Sequence, residues 1–235
     1  MRSLSTVTRL ATMLIWGITL CGGLIGPSQA AEVKVAAAAN FTAPMKELAQ
    51  QFATDTGHRA IVSYGSTGKL YAQILNGAPF DVFLAADQDR PELIEQKAIG
   101  SSRFTYATGR LVLWSRDPGL LDGTPDSLRS PDIQRLAIAN PKIAPYGNGA
   151  MQIIGALQLT DALTPKLVHG DSIAQTYQFV ATGNAELGFV ALAPAYPLMG
   201  GYDVDWAGLG YASATMKASC DRPSTLATSG RCLHR

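Results

Sequence analysis

Four times along this chain a strand-like apolar run breaks into a short cluster of Gly, Ser, Thr, Asn or Pro and restarts as an amphipathic helix. The breaks are VKVAAAANFTAP (33–44), AIVSYGSTGKLYAQI (60–74), LAIANPKIAPYGNGAMQII (136–154) and LVHGDSIAQTYQFV (167–180). Strands that alternate with helices lie parallel, with helices on both faces of the sheet. A helix that starts in small polar residues presents unpaired backbone N–H groups, hydroxyl or amide donors and a partial positive charge. Four such starts meeting in one cleft would suit a small anion.

Reading outward from the breaks assigns the rest of the chain. Val33 to Ala37 reads as a first strand and Thr42 to Asp55 as a helix, with Met45, Leu48, Ala49 and Phe52 at spacings of three and four and Gly57 as its stop. Arg59 to Tyr64 is a second strand, Gly68 to Asn76 a helix, and Asp81 to Ala85 a continuous apolar strand. Asp89 followed by Glu92 predicts a capping box for a helix through Lys97. Leu111 to Ser115, Arg135 to Ala139 and Leu187 to Leu192 read as strands, and Gly149 to Leu159 and Ser172 to Thr182 as helices. Asp117 to Asp132, rich in Pro, Gly, Asp and Ser, reads as a surface loop with one helical turn.

Phe104 to Gly109 separates two groups of βα units. The expected fold is therefore α/β, with two lobes, mixed and mainly parallel sheets, and the chain crossing between lobes near 109 and again near 193. Ligands of open α/β sheets sit at the carboxyl ends of strands, which turns loops from both lobes toward one cleft.

With 47% hydrophobic and 16% charged residues, the 235-residue chain has ample material for a core. Arg2 and Arg9, an apolar run from Leu10 to about Ile25, and Ser28 and Ala30 after Pro27 read as a secretory leader over 1–30, cleaved after Ala30. The run is interrupted by Gly and shorter than the roughly 20 residues of a membrane span, which makes a retained anchor the weaker alternative. Lipid modification at Cys21 is the other, disfavoured because Ile18 and Leu20 stand where small residues are wanted. Without Arg2 and Arg9 the chain has 17 basic and 18 acidic residues, so it carries no basic footprint for nucleic acid. Export would place Cys220 and Cys232 in an oxidising compartment, where a bridge and two unpaired thiols are equally open.

Taken in order, AAAANF, SYGSTGKLYAQI, GAPFDVFLAADQ, GRLVLWS, IANPKIAPYG and ELGFVAL resemble the periplasmic molybdate-binding proteins of ABC importers, from the end of the leader to about residue 200. The resemblance implies a two-lobed periplasmic-binding-protein fold, with residues 31–109 and 194–235 in lobe 1 and 110–193 in lobe 2. It also implies a periplasmic, monomeric protein that captures molybdate or tungstate for a membrane permease and holds no other cofactor. Carried over position by position, Asn40 takes a side-chain donor role with Ala39 beside it, and Thr67 the hydroxyl of the second loop with Ser66 as a second candidate. Tyr146 and Ile173 fall where the third and fourth loops offer backbone N–H groups to the oxyanion, the metal being held only through its oxygens. Ala191 stands where some family members have a further Tyr, so that contact is absent, leaving the Tyr146 hydroxyl as a substitute.

Blander readings stand beside these. Asn40 and Ser172 are also good helix caps, and GSTG is also a tight turn. Lys69 follows Gly68 as in a phosphate loop, but only Ser66 and Thr67 separate the glycines, so it reads as solvated helix surface. Asp87 reads as ordering its turn. His58, His169 and His234 lie beside no nucleophile motif, and YGSTG is one residue short of a nucleophile elbow, which leaves an exported hydrolase as a remote alternative. A binding protein of the same fold for sulfate or another oxyanion is the nearer one. After Met199, Gly200 and Gly201 the tail lacks the strand and long helix the family leads one to expect, and reads as irregular, frame-shifted or truncated.

Overall fold

The computed structural model describes residues 30–192, 204–205 and 213–220. The leader up to residue 29 with its Cys21, the lobe crossing near 193, Met199 to Gly201, and Cys232 with the question of a bridge to Cys220 lie outside the described residues.

The first four strands and three helices come in order as β1 (Glu32–Ala38), α1 (Thr42–Thr56), β2 (Arg59–Gly65), α2 (Thr67–Leu75), β3 (Val82–Ala85), α3 (Asp89–Gln96) and β4 (Ser101–Trp114). They are followed by β5 (Leu136–Ala139), α4 (Pro145–Ala156), α5 (Thr160–Leu163), β6 (Leu167–Gly170), α6 (Ile173–Ala181), β7 (Leu187–Ala191), β8 (Val204–Asp205) and β9 (Ser213–Cys220). The sheet runs β2-β1-β3-β9-β4-β7-β5-β6, with β8 paired to β4. β2, β1 and β3 are parallel to one another, as are β6, β5 and β7, while β9 and β4 enter antiparallel.

The apolar runs are continuous because helices cover both faces. Successive side chains of a strand point to opposite faces, and in β1 Val35 and Ala37 join a buried cluster with Met45 and Leu84, while Ala36 joins Leu70, Phe83 and Ile94. Beyond β4 the same division holds. Leu111 and Leu113 pack with Ile138, Ile153 and Phe189, whereas Val112 and Trp114 pack with Tyr177 and Val190. Trp114 stacks on Tyr177 with ring centroids 4.9 Å apart.

Four local expectations change. Phe104 to Gly109, not assigned to a strand from sequence, is the middle of β4, which pairs with β9 up to Arg110 and with β7 from Leu111. Phe104 and Tyr106, two residues apart, turn onto the cluster around Val35. α3 has no capping box: Gln88 is its cap without a side-chain bond, and Asp89 is already helical. Asp87 does that work, accepting from the Arg90 backbone N–H at 3.1 Å and pairing with the Arg90 guanidinium. α4 begins four residues earlier than the expected Gly149, because Pro145 is preset for a first helical turn, and ends before Gln158, whose φ is 57°. In the tail, Ser213–Cys220 forms β9 between β3 and β4. Its sequence, SATMKASC, has no apolar run to signal a strand.

The packing of α4 on β5 leaves no room at Gly147, where an added Cβ would lie 2.0 Å from the Ala139 carbonyl oxygen. Gly155, in the same helix, meets nothing within 4 Å. In urea unfolding Gly147→Ala is expected to lose about 2–3 kcal/mol or more, while Gly155→Ala stays neutral or gains up to about 1 kcal/mol. Equal stability of the two variants would contradict this packing.

Candidate functional site

β1 ends in an extended Ala38, after which Ala39–Phe41 makes a single tight turn before α1. Ala39 and Asn40 are buried there, and the Asn40 amide Nδ2 donates to the Tyr146 hydroxyl at 3.4 Å. β2 passes into α2 through Ser66, whose hydroxyl caps the helix by accepting from Lys69 N–H at 3.4 Å. Thr67, 1% exposed, accepts from the Ala86 N–H through Oγ1 at 3.1 Å. A hydroxyl that accepts from one side directs its own proton elsewhere, so Ala86 orients the Thr67 donor.

After β5 the Asn140 carbonyl accepts from Ile143 and Ala144 N–H, at 3.2 and 2.9 Å, and its side chain accepts from Lys142 N–H at 3.0 Å. This turn delivers Pro145 and the buried Tyr146 to the start of α4. The Asn140 N–H donates to the Gly170 carbonyl at 2.8 Å, tying this loop to the one after β6. There Ser172 caps α6, accepting from Gln175 N–H at 3.3 Å, and Ile173 is the first helical residue. Its N–H belongs to the first turn, which has no partner within the helix.

These starts meet. Ala38, Ala39 and Ala86 share one buried cluster with Ala144, Tyr146 and Ile173, and α6 packs against the Ala39–Phe41 turn. All six positions singled out by the resemblance, Ala39, Asn40, Ser66, Thr67, Tyr146 and Ile173, are buried. Ser66 is engaged as a cap, and Asn40 is not a cap.

Two contacts beyond those six were not legible. The Gly68 N–H donates to the Ile143 carbonyl at 2.9 Å, joining α2 to the loop before α4. Lys69 is not merely solvated surface, because its Nζ pairs with Asp171 at 2.7 Å, 102 residues away. A pair so distant leaves no local pattern in sequence, although a glycine inside a helix start is a hint of close approach.

The electrostatics are those of neutral donors. Burial pushes the phenols of Tyr106 and Tyr146 well above their ordinary range, so both stay protonated. Burial also raises Asp87 against the pull of Arg90. Among the described residues no group of three His, Cys, Asp or Glu side chains could hold a metal ion. An open groove of about 520 Å³, lined by Gly68, Tyr71, Arg90, Lys142 and Ile143, adjoins the site but includes neither Asn40, Thr67, Tyr146 nor Ile173.

Comparison with known proteins places this geometry. The bacterial extracellular solute-binding protein family matches residues 33–209. The molybdate-binding protein ModA of Azotobacter vinelandii is 55% identical over 193 residues, 81% of this chain and 75% of that protein. ModA of Rhodobacter capsulatus is 47% identical over 186 residues, 78% of this chain and 73% of that one. The solved structure of the Azotobacter vinelandii periplasmic molybdate-binding protein superposes with a TM-score of 0.79 at 39% identity, covering 83% of this chain and 88% of the other.

At Gly68 an added Cβ would lie 2.8 Å from the Ile143 carbonyl oxygen and 3.0 Å from its Cα, both backbone atoms. Gly68→Ala suits a helix start but obstructs the approach of the two loops. With molybdate as the probe anion in calorimetry, the variant is expected to bind about tenfold more weakly or worse, with a lowered melting temperature. Unchanged affinity would show that this contact does not matter for binding.

Proposed function

The chain belongs to the bacterial extracellular solute-binding protein family, and within it to the molybdate-binding proteins, and from this we infer that its converging helix starts capture molybdate, and tungstate likewise, in the periplasm for the membrane permease of an ABC importer. It is a binding protein of a transport system and not an enzyme. The observation that carries the ligand assignment is the meeting of buried, uncharged donors, with Asn40 touching Tyr146 106 residues away.

In this reading Asn40 and Thr67 donate from their side chains, Ala39 and Ser66 complete that wall, and Tyr146 and Ile173 donate from the backbone. Residues 31–109 with 194–235 form one lobe and 110–193 the other, and the anion draws them together by the contacts it makes with both. The partner change within β4 at Arg110–Leu111 supports a crossing there. The leader is removed after Ala30, and the mature protein acts as a monomer.

Charge-assisted hydrogen bonds contribute about 1.5–3 kcal/mol each. Four to eight of them, less the costs of association and desolvation, allow roughly micromolar or tighter binding, about −8 kcal/mol or better. Directional donors without a cation also select by size, since a nearby Lys would attract any anion, while donors set for molybdate do not all reach the smaller sulfate.

Calorimetric titration is expected to show tight binding of molybdate and tungstate and weak binding of sulfate. Equal affinity for sulfate would make this a general oxyanion receptor, and hydrolase activity of the exported protein would remove it from the class altogether. Asn40→Ala and Thr67→Ala are each expected to lose ten- to a hundredfold in molybdate affinity, about 1–3 kcal/mol, with the fold retained. Ile173→Val, which keeps the backbone N–H, should bind like the unaltered protein. If both donor variants also bind normally, the pocket is elsewhere.

A further inference from the structure

Two neighbouring residues in the first turn of α2 reach two different loops on the far side of the sheet's β4. Gly68 donates its N–H to the Ile143 carbonyl at 2.9 Å, in the loop after β5, and Lys69 Nζ meets the Asp171 carboxylate at 2.7 Å, in the loop after β6. Those two loops are tied to each other, since the Asn140 N–H donates at 2.8 Å to the carbonyl of Gly170, the residue before Asp171. Both ends of the ion pair are anchored. Lys69 gives its N–H to the Ser66 hydroxyl that caps α2, and Asp171 gives its N–H to Gln175 Oε1 at 2.6 Å, in the first turn of α6. The pairs Arg59–Glu32, Arg103–Glu95 and Arg135–Glu186 each stay within one of the proposed lobes. Lys69–Asp171 spans the two, with Lys69 two residues after Thr67 and Asp171 two residues before Ile173.

We propose that Lys69 and Asp171 form an electrostatic clasp across the cleft, made when the walls close on the anion and broken when they part, so that part of the affinity resides in a pair outside the donor set. This rests on the molybdate reading and on the two lobes proposed with it. The two are positioning residues: a contact present in the closed arrangement and absent from the open one favours closure, and closure is what holds the anion. The pairing also settles a conflict of charge. A lone Lys so near neutral donors would attract any anion, and a lone Asp would repel a dianion, whereas the pair does neither. With side chains 49% and 68% exposed, its strength is modest and screened by salt. Affinity for the anion therefore carries a salt-dependent part that belongs to closure.

Both side chains are substantially exposed, so Lys69→Met and Asp171→Asn leave the fold intact. In calorimetry on the full protein with molybdate, each is expected to bind about two- to fivefold more weakly than the unaltered protein at low ionic strength, and the gap is expected to close in about 0.5 M sodium chloride. Lys69→Asp, which sets two carboxylates face to face, should be weaker still, and the exchanged pair Lys69→Asp with Asp171→Lys should recover most of the loss. Unchanged affinity in both neutral variants overturns the proposal, as does an exchanged pair no better than Lys69→Asp alone. Weaker binding in Lys69→Met beside tighter binding in Asp171→Asn also overturns it, because the two residues would then act on the anion by their separate charges. Silent pair variants beside weakened Asn40→Ala and Thr67→Ala remove the clasp alone, whereas an unaltered protein that does not bind molybdate removes the reading on which it rests, and the clasp with it.

Discussion

The first-turn N–H groups of a helix have no partner within the helix, and here the residues that carry them are buried. Water satisfies such groups at an exposed helix end. At Asn40, Thr67, Tyr146 and Ile173, all 4% exposed or less, access to bulk water is small. The surrounding structure supplies several partners internally. Ser66 and Ser172 cap their own helices, Asn140 satisfies its own turn, and Ala86 fixes the Thr67 hydroxyl. The donors of the proposed site carry no charge of their own and stand at the positive ends of several helices.

The contacts that bring these donors together differ in kind. The Lys69–Asp171 pair has side chains 49% and 68% exposed, and pairs of that sort contribute about 0–1 kcal/mol and fade with salt. The Gly68–Ile143 contact is between backbones and tolerates no added methyl, so its geometry is far less forgiving. The ion pair is therefore suited to guiding α2 toward the loop before α6, and the glycine contact to setting how near the loops come. The long β4 joins the two groups of strands by exchanging β9 for β7 along its own length.

The parts of this arrangement that were legible in sequence are those governed by local rules. β1, β3, β5 and β7 announced themselves as apolar runs because both of their faces are covered. Gly57 marked the end of α1 and takes the left-handed conformation with φ 71°. The four helix starts were visible as clusters of small polar residues, and the assignment of individual donors came from family resemblance. Long-range pairing was not legible. β9 is a strand because β3 and β4 offer it hydrogen bonds on both sides, a condition that SATMKASC does not encode locally. Lys69 looked like solvent-facing helix because its partner lies on another loop, and Asp89 looked like a cap because it is followed by Glu92, although Asp87 had already satisfied the turn.

A site of this composition also constrains how cargo leaves. Amide, hydroxyl and backbone donors do not titrate near neutrality, and burial moves the Tyr146 phenol further from it. Proton uptake by the protein therefore cannot release an anion held in the proposed way. If the two groups of loops part as proposed, release separates Asn40 from Tyr146 and Gly68 from Ile143. Each of these bonds joins residues far apart in sequence, so opening gives them up together with the bonds to the anion. Affinity is then controlled by the free energy of closure as well as by the donors themselves. A permease that binds the open arrangement more tightly lowers the protein's affinity for its anion by the same coupling with which the anion opposes opening.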